Sequence, residues 1–213
     1  MKSTVVVAAG SDRVAAGLCR GLAAAGDRVV PVPLADLLAG DVDLPAACRE
    51  RLASVAGPRA DAVVIALAVE GTATPPLVEQ SSGEFHRLVE RPLVAANALT
   101  SAAHALLAPG GRLVYLTPAA GLVGRGASVA EATVGEGVRG LAKSAMRIWE
   151  RDGIRANMVA VGADLHDDAD DVRFGTYLTD EVVPLVHALT ADRAFATLRG
   201  QTLVAAGVEV MVP

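Results

Sequence analysis

The sequence predicts an α/β domain built on a doubly wound parallel sheet with helices on both faces. Short runs rich in β-branched residues alternate with longer Ala- and Leu-rich segments, and the longer segments carry apolar residues at three- and four-residue spacing. At 213 residues, with no linker rich in Pro, Gly or Ser, the chain fits a single domain over residues 1–213.

Each element follows from its local pattern. The apolar runs predict strands at residues 4–9, 27–32, 62–68, 111–117, 155–161 and 201–211. Helical spacing predicts helices at residues 14–25, 46–55, 85–107 and 130–151, with Gly26 and Gly110 placed as helix stops. The acidic run at residues 164–171 is predicted to be a loop.

Composition excludes several classes of function. The net charge is −5, Lys2 and Lys143 are the only lysines and aromatic residues make up 3 %, which argues against a nucleic-acid partner. No apolar run approaches the roughly 20 residues that span a bilayer, so no membrane partner is expected. Cys19 and Cys48 have neither CxxC spacing nor a nearby His, which favours reduced thiols and a cytoplasmic location.

Several stretches of sequence resemble one protein family. The segment GLAKSAMRIWERDGIRANMVAVG at residues 140–162 resembles a helix and strand of short-chain dehydrogenases/reductases, especially bacterial β-ketoacyl-ACP reductases. Residues 26–30, 84–97, 110–121 and 199–213 are similar to further parts of these proteins. The resemblance implies a Rossmann-like fold. Residues 33–52 are too few for the helix and strand that the family has there, so we expect a shortened second and third strand region, with one strand missing.

The family's glycine-rich nucleotide turn is degenerate in this chain. The motif Thr-Gly-x-x-x-Gly-x-Gly aligns with residues 8–15, where all three glycines are replaced and only Gly10 survives, off pattern. Side chains there obstruct the approach of a pyrophosphate to the backbone. We therefore expect no cofactor. The alternative is NADPH, with Ser11 and Arg13 gripping a phosphate at the N-terminus of the first helix.

The residues that the resemblance implies for catalysis are also replaced. In the family a Tyr transfers a proton with the help of a Lys four residues later, and a Ser and an Asn assist. The only tyrosines here, Tyr115 and Tyr177, have no Lys four residues later. The four family positions fall on Glu131, Gly135, Pro118 and Pro92.

Other side chains are candidates for chemistry. Glu131 stands where the Tyr belongs, and it could serve as a new acid or base if other polar groups share its cleft. These candidates are His86, Arg91, Thr117 and Tyr177. The run HDDADD at residues 166–171 is rich in oxygen ligands but lacks the glycine turn and terminal Glu of a calcium loop, so no metal is expected.

Small residues on the last long helix predict close packing. Gly135, Gly137 and Gly140 match GxGxxG, but they do not follow a strand directly and so are no nucleotide fingerprint. The resemblance implies that helices 85–107 and 130–151 form an oligomer interface. We expect Gly135, Gly137, Gly140, Lys143 and Trp149 to lie in it.

Three functions remain open. The first is a non-catalytic subunit, in a homo-oligomer or in a heteromer with an active ketoreductase or another acyl-thioester enzyme, with an acyl-carrier-protein-linked substrate nearby. The second is an enzyme of non-redox chemistry, such as a cyclase, dehydratase or isomerase. The third is an atypical NADPH-dependent reductase.

Overall fold

Six parallel strands form one sheet in the computed structural model of the chain. The structure describes residues 3–40, 42–54, 59–67, 77–124, 129–162, 171–191 and 195–205. The strands are β1 (Thr4–Ala9), β2 (Arg28–Pro33), β3 (Ala60–Ala66), β4 (Leu107–Pro118), β5 (Arg155–Val161) and β6 (Thr202–Ala205). Their order in the sheet is β2-β1-β3-β4-β5-β6. The predicted doubly wound α/β fold is confirmed, and residues 206–211 of the last predicted strand lie outside the described residues.

Helices cover both faces of the sheet. They are α1 (Asp12–Ala24), α2 (Ala35–Ala39), α3 (Leu44–Ala53), α4 (Ser82–Phe85), α5 (Arg91–Leu106), α6 (Ala120–Val123), α7 (Val129–Trp149), α8 (Asp171–Tyr177) and α9 (Val183–Ala191). A π-helical turn at His86–Glu90 joins α4 to α5, and another at Leu178–Val182 joins α8 to α9. Among the described residues, no helix is both long and apolar enough to cross a membrane.

Two hydrophobic cores lie on opposite sides of the sheet. Val63 and Ile65 of β3 point into the core that α3, α5 and α7 cover, whereas Val64 points into the core beneath α1, α8 and α9. Successive side chains of a strand face opposite sides, so a strand buried on both faces is apolar along its whole length. This burial explains the continuous apolar runs from which the strands were predicted. Gly26 has positive φ and directly follows Ala25, the C-cap of α1, as predicted. Gly110 also has positive φ, but it lies within β4, three residues after Leu107, the C-cap of α5, so its predicted role as a helix stop is wrong.

Among the described residues the sheet ends at β2, and α2 and α3 follow it where a further strand was expected to be missing. The Leu34 N–H donates to the Ala9 carbonyl at 2.9 Å, so this N–H points toward β1. Successive N–H groups of a strand alternate sides, which places the positions of Pro31 and Pro33 on the outer edge. Proline has no N–H to donate. The outer edge therefore lacks two donors that a further strand would need, and the chain continues into α2 and α3 instead.

The helices α8 and α9 were not predicted, and they lie directly against α1. A Cβ on Gly17 would stand 2.0 Å from Cδ2 of Leu178, and one on Gly21 would stand 2.6 Å from Cγ2 of Val183. The two glycines of α1 thus let the second helical segment approach closely. Residues 164–170 of the acidic run lie outside the described residues, and Asp171 begins α8.

We predict that Gly21→Ala destabilises the protein by about 1–3 kcal/mol, because the new methyl group overlaps a stiff, β-branched side chain. Two methyl carbons of Val183 lie 2.6 and 2.8 Å from the point that the alanine Cβ would occupy, and Val183 is buried. Urea unfolding measures the effect.

The matched control is Gly175→Ala in α8, where a Cβ meets nothing within 4 Å. There the better helix propensity of Ala should stabilise the protein by up to about 1 kcal/mol. Equal effects of the two substitutions would contradict the packing of α9 on α1.

Candidate functional site

The strand order creates a crevice between β1 and β3. The chain runs from β1 outward to β2 and then crosses to β3 on the other side of β1, so the order reverses at this point. In open α/β sheets, ligands bind at such a switch point, beyond the carboxyl ends of the strands. The Gly10 N–H donates to the Ala66 carbonyl at 2.9 Å and joins the two strand ends.

The N-terminus of α1 opens at this crevice. Ser11 is its N-cap and is buried, and its Oγ accepts a hydrogen bond from the Val14 N–H at 3.3 Å. Arg13 lies in the first turn, with its guanidinium 3.8 Å from the centroid of the Phe174 ring in α8. First-turn N–H groups have no helical acceptor and carry the positive end of the helix dipole. Together with Arg13 they suit an anionic group, while Asp12 opposes one.

Tyr115 is a core residue. Its side chain is fully buried in the middle of β4, and its hydroxyl lies 2.6 Å from Oγ1 of Thr100 in α5. The Thr100 hydroxyl itself donates to the Ala96 carbonyl at 2.6 Å, so the phenol is the donor between the two hydroxyls. Burial raises the pKa of Tyr115 far above the ordinary value, and the Thr100 hydroxyl only partly offsets the effect. This phenol has no access to a substrate.

Tyr177 lies at the carboxyl edge of the sheet, but its hydroxyl accepts a hydrogen bond from the Gly162 N–H at 2.8 Å. Gly162 directly follows β5, so the contact fastens α8 to the end of that strand. A second acceptor for the same N–H, the Ala205 carbonyl, stands at 3.4 Å, too far to replace the phenol. Tyr177 is buried and serves as a connection between elements.

Glu131 and Thr117 also lie toward the carboxyl edge. Glu131 stands in the first turn of α7 and is only 8 % exposed. A carboxylate at the N-terminus of a helix is stabilised by the helix dipole. Thr117, near the end of β4, is buried, and its hydroxyl donates to Sδ of Met158 at 3.1 Å.

Two predicted site residues, His86 and Arg91, have side-chain partners in the structure. His86 is exposed, and its Nδ1 lies 2.7 Å from Oε2 of Glu90, one turn later on the same helical segment. Arg91 donates to the carbonyl groups of Leu37, Leu38 and Gly40. It thereby satisfies carbonyls at the end of α2, which have no partner within that helix. The grouping of His86 and Arg91 with Glu131 stays a prediction, and the structure shows that both side chains already have partners of their own.

The glycines of α7 have separate explanations. A Cβ on Gly135 would stand 2.9 Å from the Pro118 carbonyl oxygen, and one on Gly137 would stand 2.5 Å from Cδ2 of Leu93. Gly135 is buried, so the expectation that it lies in an interface with another chain is wrong. Gly137 and Gly140 are exposed, although Gly137 is also explained by contact with α5 of its own chain.

The remaining predicted interface residues also lie on α7. Lys143 is exposed. Trp149 is half-buried at the end of the helix and stacks on His104 of α5, with ring centroids 4.7 Å apart. His104 in turn pairs with Asp152 at 2.9 Å. Within the described part of the chain, His, Cys, Asp and Glu side chains form no group that could hold a metal ion.

A family comparison decides the membership of the chain. The family model described as enoyl-(acyl carrier protein) reductase matches residues 4–188. The chain belongs to the short-chain dehydrogenase/reductase family. The expected membership is confirmed. Comparison with curated proteins yields no match.

Several solved structures share the fold. A short-chain dehydrogenase/reductase from Serratia marcescens is 18 % identical, with a TM-score of 0.73 over 98 % of this chain and 97 % of that one. An oxidoreductase of the family from Burkholderia thailandensis is 22 % identical, with a TM-score of 0.72 over 99 % and 93 % of the two chains. A blue fluorescent protein from a metagenomic library, solved in complex with NADPH, is 18 % identical, with a TM-score of 0.72 over 96 % of each chain.

The expectation that no cofactor is bound is wrong. The chain belongs to a reductase family, and its fold is shared by a protein solved in complex with NADPH. The expectation rested on replaced residues, above all the missing glycines of the turn. The anion site of this fold also uses the helix N-terminus, which α1 retains together with Arg13.

The sequence reasoning missed Phe174, which stands against Arg13 at the crevice. Phe174, Tyr177 and Leu178 are all buried. Their three- and four-residue spacing is a helical signal that could have revealed α8.

We predict that the stability of the folded chain falls as the pH rises above about 10 and that Tyr115→Phe reduces this fall. The unfolded chain releases the phenolic proton at the ordinary value, whereas burial keeps it bound in the folded chain. Stability from this group is therefore complete below that pH and is lost above it, by up to about 1.4 kcal/mol per pH unit. Urea unfolding over this range checks the prediction, and parallel curves for the two proteins would contradict it.

Proposed function

We propose that this chain is a subunit of the short-chain dehydrogenase/reductase type that binds a nicotinamide dinucleotide but does not perform the tyrosine-dependent proton transfer of a reductase. It would act in the cytoplasm beside a catalytically complete partner, such as a ketoreductase or another acyl-thioester enzyme. The observation that carries the proposal is the position of the two tyrosines. Tyr115 is fully buried in the core, and the Tyr177 hydroxyl accepts a hydrogen bond from the Gly162 N–H.

The surroundings of these tyrosines support the loss of acid catalysis. A catalytic Tyr needs a neighbouring cation that lowers its pKa. Lys143 is the one lysine among the described residues, and it lies in the second half of α7, on the exposed surface. Neither phenol therefore has a lysine beside it within the described part of the chain.

The retained features of the β1–α1 turn support nucleotide binding. The N-terminus of α1 supplies the positive end of the helix dipole, and Arg13 adds a full positive charge. The fold likeness to a protein solved with NADPH points to the ligand class. The Phe174 ring packs against the guanidinium of Arg13. The positive charge of Arg13 can therefore compensate for the glycines that are missing from the turn.

The exposed surface of α5 and α7 supports an oligomer. Val94 is 42 % exposed on α5 and Ile148 is 69 % exposed on α7. Between them the exposed positions are small or polar, including Asn97, Gly140 and Ser144. Small residues let helices of two subunits approach closely, and exposed large apolar side chains gain from being covered. The proposed interface therefore consists of these two helices, with Gly140 in it.

We predict that NADPH binds the purified chain with a Kd of about 1–100 µM and that Arg13→Ala weakens binding about tenfold or more, because a charge-assisted contact is lost. Arg20→Ala, an exposed Arg of the same helix, is the matched control and should leave the Kd unchanged. Fluorescence titration and calorimetry measure the binding. In the same samples, an acetoacetyl thioester should cause no oxidation of NADPH.

The two readouts separate the parts of the proposal. Turnover of NADPH by the chain alone would refute the non-catalytic role. A chain that gives no saturable NADPH signal would refute the nucleotide site.

We predict that Val94→Glu combined with Ile148→Glu dissociates the oligomer, because charges become buried without partners. Val172→Glu, at a position that is 77 % exposed on α8, is the control and should leave the assembly intact. Light scattering after gel filtration gives the mass, for the chain alone and for the chain co-expressed with a ketoreductase encoded nearby. An unchanged mass of the double variant would place the interface elsewhere.

A further inference from the structure

A cavity of about 360 Å³ lies between the second half of α7 and the approach to β6. It stands at the amino edge of the sheet, because Gln201 lines it and directly precedes β6. The candidate nucleotide site is at the carboxyl edge, so the two lie at opposite ends of the parallel strands. The cavity is lined by Lys143, Met146, Arg147, Glu150, Arg199, Gly200 and Gln201.

The lining of this cavity is basic in a chain that is acidic overall. Lys143, Arg147 and Arg199 contribute three positive charges and Glu150 one negative charge. Glu150 is already engaged, since its Oε1 lies 2.6 Å from Nη1 of Arg199. Lys143 and Arg147 make no hydrogen bond or ion pair within the described part of the chain. Like charges one helical turn apart repel each other, so an anion between them would relieve that repulsion.

The wall of the cavity is held in place by β5. The Gly200 N–H donates to the Ala156 carbonyl at 2.9 Å, and the Gln201 N–H donates to Oδ1 of Asn157 at 3.0 Å. Gly200 has a φ of +63°, which favours glycine, and this turn leads the chain along the stem of Lys143 into β6. The site is therefore preformed on the β6 side, and a ligand need order only the ends of the Lys143 and Arg147 side chains.

We propose that this cavity binds a small phosphorylated molecule through its phosphate group, with Lys143, Arg147 and Arg199 as its ligands. The ammonium group supplies a compact charge, and the guanidinium groups supply paired donors that match the oxygens of a phosphate. The volume is near the lower limit for ligand pockets, which fits a phosphate or pyrophosphate group with a small body. This inference is independent of the proposed subunit role.

Calorimetry with inorganic pyrophosphate as the probe tests the site on the full chain. In a chain that carries Arg13→Gln, which disables the proposed nucleotide site, we expect one site with a Kd of about 1 mM or lower that rises with salt. Lys143→Met combined with Arg147→Met should weaken binding at least about tenfold, and Lys143→Met alone should weaken it by a smaller factor. Methionine keeps the helix propensity and the apolar stem, and thermal unfolding confirms that the variants are folded.

Two matched variants exclude other origins of the signal. Arg151→Met removes an exposed cation near the end of α7 that does not line the cavity, and Arg20→Met removes an exposed cation of α1. Both should keep the Kd within about twofold. Citrate, a carboxylate of comparable charge, should bind at least about fivefold more weakly than pyrophosphate.

Four results would overturn the proposal. Absence of a saturable heat signal would show that there is no site. An equal loss of pyrophosphate affinity in Arg151→Met would show that the binding depends only on the overall charge of the surface. Loss of binding in Arg13→Gln would place the anion at the other edge of the sheet. Equal affinity for citrate would remove the assignment to phosphate.

Discussion

The contact between α1 and the helical segment α8–α9 determines the shape of the carboxyl edge of the sheet. Gly17 and Gly21 leave room on α1 for Leu178 and Val183, and no larger residue fits without displacing these side chains. The close approach seals the second core over β1, β3 and β4. It also brings Phe174 to the first turn of α1 and Tyr177 to the end of β5. Two glycines in one helix thus decide which side chains stand at the crevice.

The positive charge at the crevice comes from a side chain, whereas a glycine-rich nucleotide turn contacts the phosphates through its backbone. In such a turn the backbone itself meets the pyrophosphate, and glycines make the approach possible. Here side chains occupy the turn, and Arg13 is the group with the longest reach and a permanent charge. A nucleotide held in this way would depend on one guanidinium and the aromatic ring beneath it, so its affinity should be more sensitive to salt and to single substitutions.

The sequence was informative where local patterns decide structure and less so where contacts between distant residues decide it. The continuous apolar runs predicted the six strands that the structure describes, and the shortage of residues before position 52 predicted that the sheet would have one strand fewer. The helices α8 and α9 were overlooked because an acidic run immediately precedes them. Glycine spacing suggested a partner for Gly135 and Gly137, but the neighbours are Pro118 and Leu93 of the same chain. The sequence alone could not show whether Glu131, His86 and Arg91 lie close together. The partner of Arg91, for example, is a carbonyl group more than fifty residues earlier in the sequence.

The two prolines of β2 affect more than the strand count. An exposed sheet edge is a template on which a second chain can add a strand, and such additions lead to open-ended aggregates. Pro31 and Pro33 remove the donors from this edge over its last three residues. Copies of the chain therefore cannot join through β2 into a continuous intermolecular sheet there. This edge therefore prevents the addition of a strand from another chain at these residues. The helix faces remain as the surfaces through which closed assemblies can form.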